Sequence, residues 1–340
     1  MKGMLFTGPK KINIVEFDIP KPDKGEVLIK IKASTICGSD MHVYKGEKIP
    51  WSIDLNVIPG HEPCGVVEEI GEGIDNLIKG DRVLVYHFEG CGNCEYCLEG
   101  NYQNCKELKV YGGDRNGGNA EYMVAKARCC LKLPDELSFL DGSLLACNAG
   151  TSYETIKQLN ISALHTVAVY GLGPVGIAVV MLAKAMGCSV IGVDILDEKV
   201  DMAYKFGADY AINSLKVDVV EEIKKFTRGK GADAVIECSG SPEAQRNSLN
   251  CIKPYGKIAL VGVGFGDFTI KPLDQILLKQ SMLMGIRMFN IGTYPEMIDF
   301  VVKHKIKLEK IISHRFNIED AQEAFDLFST GKTGKIAFTF

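Results

Sequence analysis

The sequence predicts an α/β protein with two domains, one rich in strands and one built on a doubly wound parallel sheet. Before Gly150, short alternating strands are separated by glycine-rich turns, a pattern typical of a small, irregular β-barrel. After it, β-branched runs alternate with helical stretches, which indicates helices on both faces of a parallel sheet. The chain of 340 residues is long enough for two cores of ordinary size.

Composition and charge exclude several classes of protein. The chain is 46% hydrophobic and 24% charged, the balance of a globular protein rather than a disordered one. Its net charge of −4 gives no sign of the basic face that a nucleic-acid partner requires. Gly8-Pro9 interrupts the N-terminus before a secretory core could form, and the longest apolar stretch, 176–186, is too short for a bilayer. We therefore expect a cytoplasmic protein with neither a nucleic-acid nor a membrane partner.

In the first domain, the runs 25–33, 66–70 and 82–86 alternate in character and predict strands. In the second domain, the predicted strands are Thr166–Tyr170, Ser189–Val193, Asp209–Ile212, Asp233–Glu237, Lys257–Val261 and Met282–Ile286, and the predicted helices are Pro174–Met186, Asp197–Phe206, Val217–Thr227 and Pro242–Ile252.

The tail predicts helices near 294–304 and 318–329 and a last strand at 335–340, which either extends the sheet or returns to the first domain. No low-complexity linker is present, so we expect a helix to join the domains.

A glycine-rich turn follows the first strand of the second domain directly: Gly171-Leu172-Gly173-Pro174-Val175-Gly176. The motif alone is weak, but here a hydrophobic strand precedes it and an amphipathic helix follows. Its first glycine permits a tight turn, its second lets the backbone approach a pyrophosphate, and its third lets helix and strand pack closely. Pro174 suits a first helical turn, whose free N–H groups bind phosphate. The turn predicts a dinucleotide site.

Asp194 closes the second of these strands, at the distance expected for an acid that binds the adenosine ribose hydroxyls. A carboxylate at this point repels a 2′-phosphate, which favours NAD over NADP. The structural alternative is that Asp194 caps the following helix. Lys199 is either a neighbour of the same ribose or a solvated surface lysine.

Four of the twelve cysteines are closely spaced on a turn-rich loop: Cys91, Cys94, Cys97 and Cys105. Four thiolates can enclose one tetrahedral zinc ion and leave no open position, so this pattern predicts a structural site. An iron–sulfur cluster is the chemical alternative. A zinc ribbon that grips nucleic acid is disfavoured by the acidic flanks of the loop.

A second set of metal-ligand types is dispersed along the chain: Cys37, Ser39 and His42, then His61 and Glu62, then Cys147. Taken singly, a cysteine or a histidine is more often a buried packing residue. The other six cysteines lie in apolar or strand-like runs, and we expect them in the core: Cys64, Cys129, Cys130, Cys188, Cys238 and Cys251. A disulfide framework is not expected in a cytosolic chain.

Taken together and in this order, the two cysteine sets and the glycine-rich turn resemble the zinc-dependent medium-chain alcohol dehydrogenases along almost the entire chain, including Gly334-Lys335. The resemblance implies a GroES-like catalytic domain of residues 1–148 and 288–340 with two zinc sites. It also implies a Rossmann NAD-binding domain of residues 149–287, an active site in the cleft between the domains, and a homo-oligomer, either dimer or tetramer.

The resemblance also implies roles for individual residues. Cys37, His61 and Cys147 match the catalytic zinc ligands, and Glu62 matches an occasional or exchanging ligand. The four-cysteine set matches the structural zinc ligands. Ser39 and His42 match the proton relay, and Lys335 matches a basic residue near the cofactor pyrophosphate. The implied cofactors are two zinc ions per subunit and NAD.

The substrate is less defined. Arg287 matches an arginine that binds substrate hydroxyls in the polyol branch, whereas Cys147 stands where the threonine and sorbitol branches usually have glutamate. We expect a secondary alcohol that carries further hydroxyls, such as a polyol, sugar alcohol or cyclitol. The alternatives are a simple alcohol or aldehyde reductase, a threonine dehydrogenase, and a non-catalytic zinc- and NAD-binding sensor. Trp51 and Tyr44 are candidates for lining the pocket or for ordinary packing.

Overall fold

The structure, a computed structural model, describes residues 1–49 and 54–340. Backbone contacts divide it into two compact units, the first comprising Met1–Gly150 with Asn290–Phe340 and the second Thr151–Phe289. Trp51 lies outside the described residues. In the part of the chain that is described, no helix is both long enough and apolar enough to cross a membrane.

The strands and α-helices of the described residues are named here in chain order. The strands are β1 (Lys2–Gly8), β2 (Lys11–Glu16), β3 (Glu26–Thr35), β4 (Pro63–Ile70), β5 (Arg82–Val85), β6 (Phe88–Glu89), β7 (Lys109–Val110), β8 (Tyr122–Lys126), β9 (Cys130–Lys132), β10 (Thr166–Tyr170), β11 (Ser189–Asp194), β12 (Tyr210–Asn213), β13 (Ala232–Glu237), β14 (Ile252–Leu260), β15 (Met282–Gly285), β16 (Ile312–Phe316) and β17 (Lys335–Thr339). The helices are α1 (Asp40–Tyr44), α2 (Glu95–Leu98), α3 (Phe139–Leu145), α4 (Asn148–Gln158), α5 (Pro174–Ala185), α6 (Asp197–Lys205), α7 (Val219–Phe226), α8 (Pro242–Cys251), α9 (Tyr294–Lys303) and α10 (Ala321–Ser329).

The first unit is built on a sheet with the strand order β16-β17-β3-β4-β5-β9, and β8 pairs with β3 beside this path. The last strand, β17, runs antiparallel to β3 and places Ala337 opposite Thr35. The tail of the chain therefore returns to the first unit and does not extend the parallel sheet.

Tyr44 belongs to the core of the first unit. Its side chain is fully buried, its ring centroid lies 5.3 Å from that of Phe325, and its hydroxyl donates a hydrogen bond to Asp326. Of the two possibilities for this residue, ordinary packing is the one observed, because the ring lies in the core against the rings of Phe6 and Phe325.

The second unit is built on a parallel sheet with the strand order β12-β11-β10-β13-β14-β15. This is the doubly wound order, which reverses between β10 and β13. The predicted strands and helices are all present, and β10 has the predicted bounds. β14 differs most, since it begins at Ile252 rather than Lys257, and its pairing with β13 shifts register near Ala232 and Ala234.

A helix lies at the first junction between the units, as predicted. The helix α4 contains both Gly150, the last residue of the first segment, and Thr151, the first residue of the second unit.

Candidate active site and metal centres

The dispersed cluster, which we define as Cys37, His61, Glu62 and Cys147, comes together in the first unit. Each residue offers one ligand atom, and these atoms all lie within 4.8 Å of one another. Two donors of one zinc ion, each about 2.0–2.3 Å from the metal, lie no more than about 4.6 Å apart. The bound of 4.8 Å on the donor separations is close to this maximum, and sulfur, nitrogen and oxygen are the donors that zinc binds. The cluster is therefore a candidate site for a single zinc ion.

Strand pairing brings the first three members of this cluster together. β3 and β4 are antiparallel neighbours, with Ser34 opposite Pro63. Cys37 follows the end of β3, and His61 and Glu62 precede the start of β4. In an antiparallel pair, the end of one strand and the beginning of its partner lie side by side, so residues far apart in sequence become neighbours.

Cys147 is positioned by the helix α3. The helix begins with a capping box in which Ser138 and Asp141 exchange side-chain and backbone hydrogen bonds. It lies so close to β4 that a Cβ at Gly142 would be 2.4 Å from the sulfur of Cys64. The helix ends at Leu145, so Cys147 lies in the short break between α3 and α4.

Asp40 connects two of the ligands, and sequence reasoning missed it. Its Oδ1 is 3.1 Å from Nδ1 of His61, and its Oδ2 accepts a hydrogen bond from the backbone N–H of Cys37 at 2.8 Å. Burial alone lowers the pKa of His61, but the charges of Asp40 and Cys37 outweigh it and raise that pKa well above its usual value. A carboxylate on Nδ1 fixes the ring and leaves Nε2 for a metal.

Glu62 is held by two neighbours. The ammonium of Lys335 lies 2.9 Å from Oε1 and 2.7 Å from Oε2 of Glu62, and the hydroxyl of Thr35 also donates to Oε2. Burial raises the pKa of Glu62 to about 7, while the positive charge of Lys335 acts in the opposite direction. Lys335 is itself buried, with 1% of its side chain exposed. The structure thus places Lys335 beside the dispersed cluster, and its contact with a pyrophosphate stays a prediction.

The two candidate relay residues lie on one helical turn. Ser39 directly precedes α1, and His42 lies within it. Residues three apart on a helix are neighbours on its surface, and both side chains are partly exposed. Nδ1 of His42 is 2.5 Å from Oε2 of Glu47, a partner that sequence reasoning did not identify.

The four-cysteine cluster, which we define as Cys91, Cys94, Cys97 and Cys105, also has all its ligand atoms within 4.8 Å of one another. The sulfurs of Cys91 and Cys97 are 3.9 Å apart, close to the roughly 3.8 Å of two sulfurs in a tetrahedral zinc site. Backbone N–H groups of the loop donate to the sulfurs of Cys91 and Cys105 at 3.3–3.4 Å. Backbone hydrogen bonds from Asn93 and Cys94 lower the pKa of the Cys91 thiol to about 7. The cluster fits a closed, all-sulfur metal site.

The glycine-rich turn has the strand–turn–helix context that was predicted. Gly171 has a φ of +83°, and a Cβ there would be 2.7 Å from the backbone nitrogen of Ser239. A Cβ at Gly176 would be 1.9 Å from the oxygen of Gly171. Gly173 is the N-cap of α5, and Pro174 and Val175 begin that helix. The tight turn therefore depends on glycine at both contacts.

Asp194 is placed at the end of β11, where its carboxylate binds backbone N–H groups. Oδ2 accepts from Leu172 at 2.7 Å, and Oδ1 accepts from Ile195 at 2.7 Å and from Leu196 at 3.1 Å. The carboxylate thus connects the glycine-rich turn with the loop that enters α6. The N–H groups of Ile195 and Leu196 precede the first residue of α6, Asp197, so Asp194 does not cap that helix. Its contact with Leu172 places the acid against the predicted cofactor loop.

Lys199 and Arg287 differ in exposure. Lys199 is buried in α6, with 5% of its surface exposed, so the interpretation as a solvated surface lysine is wrong. Burial lowers its pKa, and the charge of Asp194 opposes this shift. Arg287 is exposed and follows β15 in the second unit.

Comparison with known proteins agrees with these sites. Residues 23–135 match the alcohol dehydrogenase GroES-like domain, and residues 174–303 match the family described as zinc-binding dehydrogenase. The Escherichia coli protein YphC, an uncharacterised zinc-type alcohol dehydrogenase-like protein, is 34% identical, with 100% of this chain and 99% of that protein aligned. The L-threonine 3-dehydrogenase of Pyrococcus horikoshii is 36% identical over 96% of this chain and 94% of its own length.

This chain belongs to the zinc-dependent medium-chain alcohol dehydrogenase family. Solved structures of similar alcohol dehydrogenases cover it fully. One is the alcohol dehydrogenase TADH of a Thermus species, with a TM-score of 0.93, 28% identity, and 100% of this chain and 99% of that chain aligned. Another, rspB of Escherichia coli complexed with NADH, has a TM-score of 0.91 and 30% identity over 100% and 99% of the chains. A third, galactitol-1-phosphate dehydrogenase of Escherichia coli, has a TM-score of 0.91 and 26% identity over 100% of both chains.

These matches confirm the predicted fold class, a GroES-like domain with a Rossmann-type parallel sheet. At the level of the family, they also confirm the predicted cofactors, zinc and NAD. For the four-cysteine cluster of this alcohol dehydrogenase, they favour zinc over an iron–sulfur cluster, because the matched family binds zinc.

Proposed function

We propose that this alcohol dehydrogenase transfers hydride between NAD and a secondary alcohol that carries further hydroxyl groups: a polyol, sugar alcohol or cyclitol. The observation that carries the proposal is the dispersed cluster, in which two thiols, one imidazole and one carboxylate converge within 4.8 Å. Three protein ligands leave a position for a substrate oxygen, whereas a closed four-thiolate site does not. The dispersed cluster is therefore the catalytic site and the four-cysteine cluster the structural one.

The chain's own residues have separate tasks in this proposal. Cys37, His61 and Cys147 hold the metal, and Glu62 is the exchanging ligand. When bound, zinc supplies a Lewis acid that polarises the substrate oxygen, and NAD accepts the hydride. Ser39 would accept the hydroxyl proton of the substrate and give up its own O–H proton toward His42. The imidazole of His42, which is partly exposed, would then release a proton to solvent.

Asp194 supports NAD as the preferred cofactor of this chain. Its carboxylate is fixed by backbone N–H groups at the end of β11, where a ribose 2′-phosphate would meet negative charge. We expect Asp194→Gly to raise the ratio of NADP to NAD in kcat/KM by about tenfold, the effect of roughly 1.4 kcal/mol of relieved repulsion. Steady-state kinetics with both cofactors measure this ratio, and an unchanged ratio contradicts the role.

The substrate class has two lines of support. Similar proteins include dehydrogenases named for L-threonine and for galactitol 1-phosphate, both polar molecules with several functional groups. Arg287 is exposed, and we propose that it binds a second polar group of the substrate. A simple alcohol remains the competing substrate, because Cys147 replaces the glutamate of the threonine and sorbitol branches and because other similar proteins are named alcohol dehydrogenase only.

An NAD-reduction screen tests this function. The zinc-loaded protein is assayed with sugar alcohols, cyclitols, L-threonine and short unsubstituted alcohols, next to Cys37→Ala and the control variant Cys188→Ala. Cys188 is buried outside both clusters, so its variant should keep activity while Cys37→Ala loses it. A preference for unsubstituted alcohols would replace the polyol proposal with a simple alcohol reductase. NADH binding without turnover on any alcohol would indicate the sensor.

We also propose a homo-oligomer formed through the β15 edge of the parallel sheet. β15 ends the strand order, and the segment that includes it exposes Leu273, Leu277, Leu278 and Met282. Apolar patches and open strand edges favour association with a second copy. Sedimentation of the wild type and of Leu277→Lys/Leu278→Lys checks this, since a monomeric wild type, or a variant that stays oligomeric, contradicts it.

A cytosolic location is proposed on chemical grounds. All twelve cysteines are free thiols in the structure, and the six that belong to the two clusters must stay reduced to bind a metal. A reducing compartment provides that condition.

A further inference from the structure

We propose that Glu47 is a positioning residue for the proton relay and fixes the tautomer of His42, an inference that rests on the proposed dehydrogenase function. Nδ1 of His42 and Oε2 of Glu47 are 2.5 Å apart. With the Nδ1–H donated to the carboxylate, the lone pair stays on Nε2. That nitrogen is then the one that receives the substrate's proton.

The backbone builds this pair. The helix α1 ends in a Schellman motif, in which Gly46 donates to the carbonyl of Val43 and Glu47 donates to the carbonyl of His42, both at 2.9 Å. Gly46 has a φ of +69°, and a Cβ there would be 2.7 Å from the ring of Pro9. Glycine therefore allows the chain to reverse direction after α1. Glu47 then contacts His42 twice, through its backbone N–H and through its carboxylate.

Of the described carboxylates on α1, on α10 and just after α1, Glu47 is the one that contacts His42. Asp40, on the same helix, binds His61 and the backbone of Cys37, so its carboxylate serves the dispersed cluster. Asp326, on the helix α10 that packs against α1, accepts from the hydroxyl of Tyr44. The hydrogen bond from His42 holds the pKa of Glu47 below its ordinary value, with Lys45 adding to this and desolvation opposing it.

A charged carboxylate behind the imidazole also favours the protonated ring that forms when the relay operates. This is the logic by which an acid orients a catalytic histidine in hydrolases. The pair is partly exposed, with 21% of the His42 side chain and 39% of the Glu47 side chain accessible. Water can therefore take the proton from His42, and Glu47 sets which ring nitrogen takes part.

The first measurement is the tautomer itself, which does not depend on turnover. In protein with ¹⁵N-labelled histidine, the His42 signals, assigned by their loss in His42→Asn, should show the Nδ1–H form in the wild type. In Glu47→Ala they should move toward the Nε2–H form or a mixture. Nε2–H in the wild type, or no change in the variant, overturns the proposal.

The second measurement is kinetic and uses the alcohol with the highest rate in the screen. Glu47→Ala should lower kcat by about 3–30-fold, a part of the roughly 10²–10⁴-fold that general acid–base catalysis contributes. KM for NAD should not change, and Glu47→Asp should restore part of the loss. The matched control is Glu68→Gln, which breaks an exposed pair with Lys79 and should leave kcat unchanged.

The outcomes separate this proposal from the proposed function. If the wild type is active and His42→Asn is slow, but Glu47→Ala has normal kcat, the positioning role is wrong and the dehydrogenase stands. If His42→Asn is as fast as the wild type, there is no relay through His42 and the positioning role is wrong with it. If none of the alcohols in the screen supports NAD reduction by the wild type, the proposed dehydrogenase function is wrong. The tautomer measurement alone then decides whether Glu47 orients His42.

Discussion

The two metal clusters of the first unit are assembled in opposite ways. The four-cysteine cluster comes from one short loop, Cys91 to Cys105, and all its donors are sulfur. The dispersed cluster comes from three separate segments that meet only because β3 pairs with β4 and α3 packs near both. Two of its donor residues have further partners: Asp40 contacts His61, and Thr35 and Lys335 both donate hydrogen bonds to Glu62.

The difference teaches how a structural and a catalytic site place different demands on a fold. A closed four-thiolate site needs a flexible loop with the right spacing and stabilises that loop when metal binds. A site with an open position must instead be held in shape by its surroundings, because fewer ligands define it. Changes in the two clusters should therefore have different consequences.

The largest expected effect is on turnover. Cys147→Ala removes one of three strong ligands of the dispersed cluster and should lower kcat/KM by at least about 10³-fold, since metal Lewis acidity contributes several kcal/mol. Thermal unfolding should change little, by less than about 5 °C, because the fold holds the site. Steady-state kinetics and a thermal melt check both statements. Activity within tenfold of the wild type would contradict the catalytic assignment.

The next effect is on stability and falls on the other cluster. Cys97→Ser should lower the free energy of unfolding by roughly 3 kcal/mol or more, since a structural metal site contributes folding energy directly. Urea unfolding measures this. The matched control is Cys130→Ser, a buried cysteine outside both clusters, which should cost only about 1 kcal/mol. Equal losses in the two variants would remove the distinction between the clusters.

A smaller effect concerns the support behind the dispersed cluster. Asp40→Asn keeps the size of the side chain but removes the charge that faces His61, and it should weaken zinc binding at this cluster by about 10–100-fold. Zinc release measured against chelator concentration should show two steps, one for each cluster. In Asp40→Asn, only the step of the dispersed cluster should move to a lower chelator concentration. A shift of both steps would mean that Asp40 acts on the whole unit.

The smallest effect concerns the attachment of the four-cysteine loop. Arg115 bridges Glu26 on β3 and Glu89 just before Cys91. Desolvation alone would raise the pKa of Glu26, but Arg115 and Lys126 outweigh it and lower the value to about 2. Because the folded-state pKa lies below the unfolded one, the stabilisation is present above about pH 4.5 and is lost as the pH falls toward 2.

Glu26→Gln should therefore cost about 1 kcal/mol at pH 7, and its difference from the wild type should shrink by more than half at pH 3. Urea unfolding at both values checks this, with the exposed pair variant Glu68→Gln as the control. A difference in unfolding free energy between Glu26→Gln and the wild type that is larger at pH 3 than at pH 7 would contradict the stabilising role of the ionised Glu26.

The same contrast explains how much of the molecule its sequence could predict. The four-cysteine cluster and the glycine-rich turn are local patterns, so the spacing of their residues along the sequence is enough to predict a metal site and a dinucleotide-binding turn. The parallel sheet was predicted for the same reason, because each strand and helix has its own periodicity. The dispersed cluster needed the family resemblance, since no spacing rule connects Cys37 with Cys147.

What the sequence did not predict are partners set by the three-dimensional arrangement. Asp40 meets His61 across 21 positions, and Lys335 meets Glu62 from the other end of the chain. A buried charge requires a partner, but the sequence does not say which one. The contact between Glu47 and His42 is the one that the sequence could have predicted. A glycine after a short helix, here Gly46, indicates a turn that places the next residue beside the last turn of that helix.

The contacts of Asp194 have a practical meaning for redesign of coenzyme choice. One oxygen of this side chain accepts a hydrogen bond from the turn that follows β10, and the other accepts from the two residues that precede α6. Deleting the side chain therefore removes the charge repulsion but also loosens the binding loop. A chemist who wants a phosphate-accepting variant would do better to leave this acid's backbone contacts intact. Ile195 is 55% exposed, so a lysine or arginine at this position could attract the 2′-phosphate of NADP. Such a substitution would leave the hydrogen bonds of the Asp194 carboxylate in place.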